Sequence, residues 1–154
     1  MIYSFEAKFH SNVQALHRST LEVTCEERLT PRGDCVVLTS STHDPEELAR
    51  SCPEGWEGNL VVLTRFGAFW VRGTCAPTEV GCSFVIRKGG SRAPRTLMIM
   101  ADKAARDLPK EIIKKGRLWG AKALVLLLSR PPGRGGGASP EPPRGLSPRL
   151  GALP

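Results

Sequence analysis

The early part of the chain contains two histidines and two carboxylates, the residue types that general acid–base catalysis and divalent metal binding need. They are His10, His17, Glu22 and Asp34. The two histidines are seven residues apart, whereas a helical metal site places them one turn apart. In an extended segment they would face opposite sides. We therefore favour ordinary structural histidines and no metal site, and keep His17, Glu22 and Asp34 as candidate catalytic residues and His10 and His17 as candidate metal ligands for the alternative.

A cationic loop is the second candidate site. The segment Arg87–Arg95 contains four cations and no acid within nine residues, together with two glycines that let the backbone approach a ligand. Lys103 and Arg106 follow at the start of a predicted helix, and helix N-termini favour anions. We predict that this region binds phosphate, with a solvated hairpin loop as the alternative. The predicted anion-binding residues are Arg32, Arg87, Lys88, Arg95 and Lys103.

Known nucleotide-binding and hydrolase signatures do not account for this loop. The P-loop pattern, the spaced glycines of dinucleotide-binding strands and the Gly-x-Ser-x-Gly turn of α/β-hydrolases are all missing from the chain. Cys35 follows Asp34 at a strand start, where a core thiol is a simpler interpretation than a nucleophile. Phe66, Phe69 and Trp70 could stack on bases, with core packing as the alternative. The residues leave open whether the chain is an enzyme.

The elements that would carry these residues are mainly strands. Thr20–Cys25 alternates apolar and polar residues as a half-buried strand does, whereas Cys35–Thr39 predicts a fully buried strand. An alternating stretch also opens the segment Ser4–Leu16. Further strands are predicted at Asn59–Thr64, Ala68–Gly73, Gly81–Arg87, Thr96–Ala101 and Ala121–Leu128.

Two helices are expected among the strands. The segment Asp44–Ser51 begins with a capping aspartate, a first-turn proline and two glutamates, the order that a helix N-terminus prefers. The second helical stretch is predicted at Asp102–Lys115, and Pro109 inside it predicts a kink or a restart. His43 lies beside the first helix cap and is expected at the surface.

The order of elements suggests an internal duplication. Strand, Pro-Arg loop, buried strand and helix occur at Leu21–Ser51 and again at Ser83–Lys115. The pairs Pro31-Arg32 and Pro94-Arg95 take the same place in the two units, which would make two ββα pseudo-repeats. We predict an α+β fold with two helices outside a largely antiparallel or mixed sheet, or a partly closed barrel, of about seven or eight strands.

The cysteine pattern favours reduced thiols. The total is odd, and no two cysteines are separated by only two residues, which argues against zinc ribbons and redox motifs. We expect partly buried thiols, with one disulfide allowed if the organism is a hyperthermophile. The five residues are Cys25, Cys35, Cys52, Cys75 and Cys82.

Composition predicts one domain followed by a tail. From Arg130 to Pro154 about half of the residues are proline or glycine, so this basic segment is predicted to be disordered, and residues 1–129 form the single globular domain. The net charge of +7 suits a polyanion partner, although a GC-rich genome or thermal adaptation also enriches arginine. Ala121–Leu128 is too short to span a bilayer and Met1–Gln14 is too charged for a signal peptide, so we expect a cytoplasmic protein.

Five runs of residues are similar to an archaeal family catalogued as domain of unknown function 371. The resemblance covers nearly all of the predicted domain and implies an archaeal, cytoplasmic, single-domain protein, but no activity. The family pattern has a glycine before the first histidine, where this chain has Phe9, and the tail lies outside the pattern. The similar runs are Phe9–Val13, His17–Thr24, Leu29–Cys35, Val85–Lys88 and Arg95–Ala105.

One function is preferred on these grounds. We predict a binding module for a phosphate-bearing partner, with RNA favoured over a small nucleotide, and no bound cofactor. The alternative is a small hydrolase or a metal-assisted enzyme that uses His10, His17, Glu22 and Asp34. A subunit of a larger assembly is a third hypothesis, which an exposed apolar sheet edge would favour. The oligomeric state is left open.

Overall fold

The computed structural model describes residues 1–133 of the chain. Two α-helices lie along it, α1 (Pro45–Arg50) and α2 (Lys110–Trp119), and a short 3-10 helix occupies Ala105–Asp107. The strands are β1 (Ile2–Lys8), β2 (Thr20–Thr24), β3 (Val36–Leu38), β4 (Glu57–Thr64), β5 (Gly67–Thr78), β6 (Ser83–Arg87), β7 (Thr96–Ile99) and β8 (Lys122–Arg130).

The strands form one mixed sheet of eight strands in the order β1-β8-β4-β5-β7-β6-β2-β3. The pairs β2–β3 and β6–β7 are parallel and the others are antiparallel. The sheet is not closed, but one antiparallel bridge between Lys8 and Thr39 joins its two outermost strands. The predicted α+β fold with a mixed sheet and two helices is confirmed.

Alternation along the strands decides which side chains enter the core. In β2, Leu21 and Val23 are buried, and their neighbours in β6, Phe84 and Ile86, are buried opposite them. The helices add apolar side chains to the same core, Leu48 from α1 and Ile112 and Ile113 from α2. Glu22 and Arg87 lie on the other side of these two strands, together with the buried Val85.

The first helix begins where local sequence signals place it, whereas the second begins at Lys110 and not at the predicted Asp102, so Lys103 lies on no helix. The Asp44 carboxylate accepts hydrogen bonds from the amides of Glu46 (2.9 Å) and Glu47 (3.2 Å), which caps α1. Pro109 separates the 3-10 helix from α2, because its ring cannot supply an amide to a continuous helix. The predicted restart at Pro109 is confirmed.

Backbone hydrogen bonds in the first half of the sheet recur at equivalent positions in the second half, which supports the predicted duplication. In the first half Glu22 N donates to Cys35 O (2.8 Å), and in the second half Val85 N donates to Arg95 O (2.7 Å). The parallel pairs have a register shift at the same place, between Glu22 and Val23 and between Val85 and Ile86. Both parallel pairs therefore share one geometry, related by a pseudo-twofold axis through the Glu22–Val85 pair of β2 and β6.

Further pairs follow the same pseudo-twofold relation. Ser40 and Met100 end β3 and β7 with a positive φ of 53° each. Glu6 N donates to Thr42 Oγ1 (3.0 Å), as Arg72 N donates to Asp102 Oδ1 (2.9 Å). The relation aligns β1 with β5 and β4 with β8, so the repeat extends beyond the predicted ββα units.

The alignment of the two halves differs from the sequence prediction in one respect. The hydrogen bonds to Glu22 and Val85 make Cys35 equivalent to Arg95, so Pro94-Arg95 corresponds to Asp34-Cys35 and not to Pro31-Arg32. The connection between β2 and β3 is longer than that between β6 and β7. The extra residues lie in the β2–β3 connection. Matching the two Pro-Arg pairs therefore puts the two halves out of alignment.

The prediction of reduced thiols is wrong for four of the five cysteines. Cys25 is disulfide-bonded to Cys82, with Cα atoms 5.1 Å apart, and Cys52 to Cys75, with Cα atoms 5.2 Å apart. Cys35 alone is free. The paired cysteines are 57 and 23 residues apart in sequence and meet only through the fold, so their spacing carried no signal.

His43 is buried, contrary to the expected surface position. Its side chain is 7% exposed and lies edge-on to the rings of Phe5 and Phe84. Its Nε2 is 2.8 Å from Gly81 O and its Nδ1 is 2.6 Å from Ser41 Oγ. Because a carbonyl only accepts, Nε2 carries the proton and Nδ1 accepts from the serine hydroxyl. Burial lowers the pKa of His43 below its usual value.

The boundary of the predicted domain falls close to the end of the last strand. β8 continues to Arg130, one residue beyond the predicted domain. Residues 134–154, which make up most of the predicted disordered tail, lie outside the described residues. Within residues 1–133 no helix has the length and apolarity needed to cross a membrane.

Candidate functional site

His17 organises the turn that leads into β2. Its Nδ1 accepts hydrogen bonds from the backbone amides of Ser19 (3.2 Å) and Thr20 (3.1 Å) and lies 2.9 Å from Thr20 Oγ1. The amides of Leu16 (3.0 Å) and His17 (3.2 Å) both donate to the backbone carbonyl of Asp34. The fold thus brings His17 and Asp34 together through the main chain, and the ring nitrogen that faces the protein acts as a loop cap.

Glu22 lies on the outer face of the sheet at the pseudo-twofold axis. Its carboxylate is 3.2 Å from Arg95 Nη1, and its side chain is only 13% exposed, whereas that of Arg95 is 53% exposed. Burial raises the pKa of Glu22 above its usual value, although the nearby Arg95 and Arg87 lower it. The φ of Arg95 is 73°, a left-handed conformation that is uncommon for a residue with a side chain.

Cys35 shares the environment of Glu22. Burial raises the pKa of its thiol, and the carboxylates of Glu22 and Asp34 raise it further, while a hydrogen bond from Thr20 lowers it. A thiol with a raised pKa is a poor nucleophile, because the thiolate is the reactive form. The structure therefore joins His17, Glu22, Asp34 and Cys35 in one region, but with a neutral thiol.

His10 takes no part in that cluster. Its Nδ1 accepts a hydrogen bond from the amide of Asn12 (2.9 Å), and its carbonyl accepts one from Val13 N (3.0 Å), so it stabilises its own loop. Across residues 1–133 no group of three or more histidines, cysteines or acids is arranged to hold a metal ion. The roles considered for His10 and His17 as metal ligands stay untested.

Several cations of the predicted phosphate site have acidic partners. Lys88 Nζ is 2.6 Å from Asp107 Oδ2, and Arg95 is paired with Glu22. Lys103 Nζ donates to Trp70 O (2.9 Å), is 3.3 Å from Asp102 Oδ2 and lies above the Trp70 ring.

Arg87 and Arg32 differ from those paired cations. Arg87 Nε donates to Thr96 Oγ1 (2.8 Å), which orients the guanidinium without neutralising it. Arg32 is exposed and forms no ion pair within the described part of the chain. The predicted anion-binding residues thus differ in how far they are neutralised, and several of them are held by acidic partners.

A cleft beside the 3-10 helix gathers unpaired positive charge. It has a volume of about 210 Å³ and lies between the segment 14–16 and the 3-10 helix with α2. Its apolar lining includes Leu16 and Ile113, and none of the described residues that line it is acidic. The cations around it, which form no ion pair within residues 1–133, are Arg106, Lys110, Lys114 and Arg117.

The fold places these cations together for two reasons. Lys110, Lys114 and Arg117 follow the i, i+4, i+7 spacing that puts side chains on one face of a helix. Arg106 joins them because its amide donates to His17 O (3.0 Å), which fixes the 3-10 helix against the turn before β2. Lys88 is anchored to the same 3-10 helix through Asp107, so the cationic loop and the cleft are neighbours.

Arg106 was identified from the sequence as a cation of interest, but the other three cations of the cleft were not. The signal that could have found them is the helical spacing of cations in α2. The second wall of the cleft, which includes the exposed Leu16, could not be found in this way. It depends on a loop in which Ala15 adopts a φ of 51°.

Comparison with known proteins places the fold within one family. The family model described as "Domain of unknown function (DUF371)" matches residues 5–129. An uncharacterized protein of the archaeon Methanocaldococcus jannaschii is 32% identical over 126 residues, which covers 75% of this chain and 90% of that protein. The predicted resemblance is confirmed over the folded part.

Proposed function

The chain belongs to the DUF371 family, whose description names no activity, and we propose from its geometry that it is a binding module for a phosphate-bearing partner, RNA above all. The observation that carries the proposal is the cleft between the segment 14–16 and α2, where four cations meet without a carboxylate. Unpaired cations attract phosphates and release their counterions on binding.

The arrangement favours a chain of phosphates over a single one. From Lys110 to Arg117 the stripe runs seven residues along α2, about 10 Å at the helical rise. Arg87 is oriented by Thr96 without an acidic partner in the described part of the chain, while Lys88, Arg95 and Lys103 are paired with acids and contribute less. An extended polyanion can follow the stripe along α2, and the apolar side chain of Leu16 accommodates a sugar or base face.

The first test is RNA binding by the cleft. The variant Lys110→Gln/Lys114→Gln/Arg117→Gln should bind a labelled single-stranded RNA at least about tenfold more weakly at low salt, because three phosphate contacts are lost. The slope of log K against log salt should become shallower by about 2, since each contact to a single strand contributes roughly 0.7. Fluorescence anisotropy over a salt series measures both quantities.

Two matched variants make this test specific. Arg50→Gln/Arg65→Gln/Lys122→Gln removes the same charge away from the cleft and should change binding little. Arg134→Gln/Arg144→Gln/Arg149→Gln removes the arginines that follow residue 133 in the sequence. Wild-type protein that binds no RNA at low salt would contradict the proposal. A loss confined to the last variant would assign the contact to the C-terminal segment instead of the cleft.

A further inference from the structure

The outer face of β1, β8, β4 and β5 is largely apolar. Strand register arranges its side chains in three rows, each crossing the four strands in the order just given. The middle row contains Leu126 and Val61 at its centre and Trp70 at its end. The flanking rows are Ile2, Leu128, Asn59 and Arg72 on one side and Glu6, Leu124, Leu63 and Ala68 on the other.

This face is exposed mainly on β1 and β8, whereas Lys103 lies above the Trp70 ring at the other end and the Asn59 Oδ1 atom is buried. Ile2 is 75% exposed and Leu124 is 43% exposed. The buried residues of α1 and α2 pack into the core, on the opposite side of the sheet from these side chains. Contiguous apolar patches of this kind are uncommon on monomers and mark interaction surfaces.

Two opposite charges stand at diagonal corners of the face. Glu6 ends one row on β1 and Arg72 ends another on β5, and neither forms an ion pair among residues 1–133. They are pseudo-twofold equivalents, because the amide of Glu6 donates to Thr42 Oγ1 as the amide of Arg72 donates to Asp102 Oδ1. An apolar face with one negative and one positive corner is complementary to a second copy of itself.

The required rotation follows from this layout. A twofold axis in the plane of the sheet, along the diagonal from Ile2 to Ala68, exchanges the corners and sets Glu6 of each copy against Arg72 of the other. The same axis places Trp70 against Leu63 and Leu124 of the second copy. Strands of the two sheets then cross at nearly a right angle, one of the two usual ways in which sheets stack.

We propose that this face binds a second copy of the chain in this orthogonal arrangement. Four strands by three rows cover roughly 400 Å² per copy at ordinary strand spacing and rise. Stable interfaces bury about 800 Å² per partner, so the dimer is weak and forms reversibly as concentration rises. None of the residues of this face lines the cationic cleft, so the dimer and the proposed RNA binding are independent.

The test uses charge exchange in the full chain. Glu6→Arg alone and Arg72→Glu alone each create two like-charge contacts per dimer, and each should weaken self-association at least about tenfold. An equimolar mixture of the two variants should dimerise again, because every introduced charge then faces an opposite one. Sedimentation velocity over a concentration series measures self-association, and circular dichroism confirms that each variant is folded.

Other outcomes overturn the proposal. Wild-type protein that stays monomeric up to millimolar concentration would show that this face does not bind a second copy of the chain. A mixture that fails to dimerise, while the wild type does, would exclude this orientation. The control is the same pair of charge reversals on α1, Glu46→Arg alone and Arg50→Glu alone. Each should leave self-association unchanged. RNA binding by the Glu6 and Arg72 variants reports separately on the proposed function.

Discussion

At the scale of single residues, the charge of the candidate site depends on which cations form ion pairs, and the sequence does not show those pairs. Lys88 and Arg95 have the same chemistry as Lys110 and Arg117, yet the first two meet acids and the last two do not. Asp107 and Glu22 lie far from those cations in the chain, so the pairing appears only when strands and helices are in place. The cationic loop was therefore easier to recognise in the sequence, whereas the cleft beside α2 has the cations without acidic partners among the described residues.

His43 provides the first residue-scale prediction. Its folded pKa is lowered below the usual 6.5, so the neutral ring stabilises the fold above that pH, and this contribution is lost as the pH falls below 6.5. His43→Gln should cost about 1–3 kcal/mol at pH 8, because the hydrogen bond to Gly81 and the ring packing are lost. The variant should also lose less stability than the wild type on acidification to pH 5.

Chemical denaturation at several pH values checks this prediction. Ser41→Ala is the matched control, since it removes the hydroxyl that bonds Nδ1 but keeps the buried imidazole. That variant should retain the wild-type loss of stability toward low pH. Parallel pH profiles for wild type and His43→Gln would contradict the assignment of this loss to His43.

At the scale of elements, a glycine in α2 shows that tertiary packing, and not helix propensity alone, decides which residue a helix position can hold. Gly116 lies inside the helix against the ring of Phe9, and a Cβ there would come within 2.7 Å of two ring carbons. The close approach of α2 to the segment after β1 thus depends on the absence of a side chain at Gly116.

Gly116→Ala tests this packing. Alanine should favour an isolated helix by about 1 kcal/mol, but the clash with Phe9 should make the protein about 1–3 kcal/mol less stable. The double variant Phe9→Leu/Gly116→Ala should recover part of that loss. Gly81→Ala, where a Cβ meets nothing within 4 Å, serves as the control in the same denaturation experiments.

The sequence predicted elements better than it predicted the relations between them. The cap at Asp44 and the break at Pro109 are local, so they were found from a few neighbouring residues. Alternation identified β2, and a wholly apolar run identified β3. The burial of His43 and the wall of the cleft at Leu16 depend on segments distant in the chain, and no local pattern encodes them.

At the scale of the whole molecule, the two disulfides tie the pseudo-twofold halves to each other. Cys25–Cys82 joins the end of β2 to the start of β6, and Cys52–Cys75 joins the end of α1 to β5. A cross-link lowers the conformational entropy of the unfolded chain and so raises its free energy. The expected increase is about 4 kcal/mol for the bridge that closes 57 residues and about 3 kcal/mol for the one that closes 23. The longer cross-link should therefore contribute more to stability.

Thiol counting and denaturation check this prediction. Oxidised protein, titrated in denaturant, should show one free thiol, that of Cys35, and reduced protein should show five. Cys25→Ser/Cys82→Ser should lose about 4 kcal/mol and Cys52→Ser/Cys75→Ser about 3 kcal/mol. Five thiols in the protein purified without reductant would show that the cross-links do not form.

The turn between β4 and β5 has a consequence for the integrity of the chain. It is the tight connection at Arg65-Phe66, and both sulfur bridges span it, because each has one cysteine before the turn and one after it. Backbone cleavage at this turn would leave two fragments covalently attached to one another. The ladder between β4 and β8 would also hold them in register, so a nicked molecule would keep its shape until a reductant released the pieces.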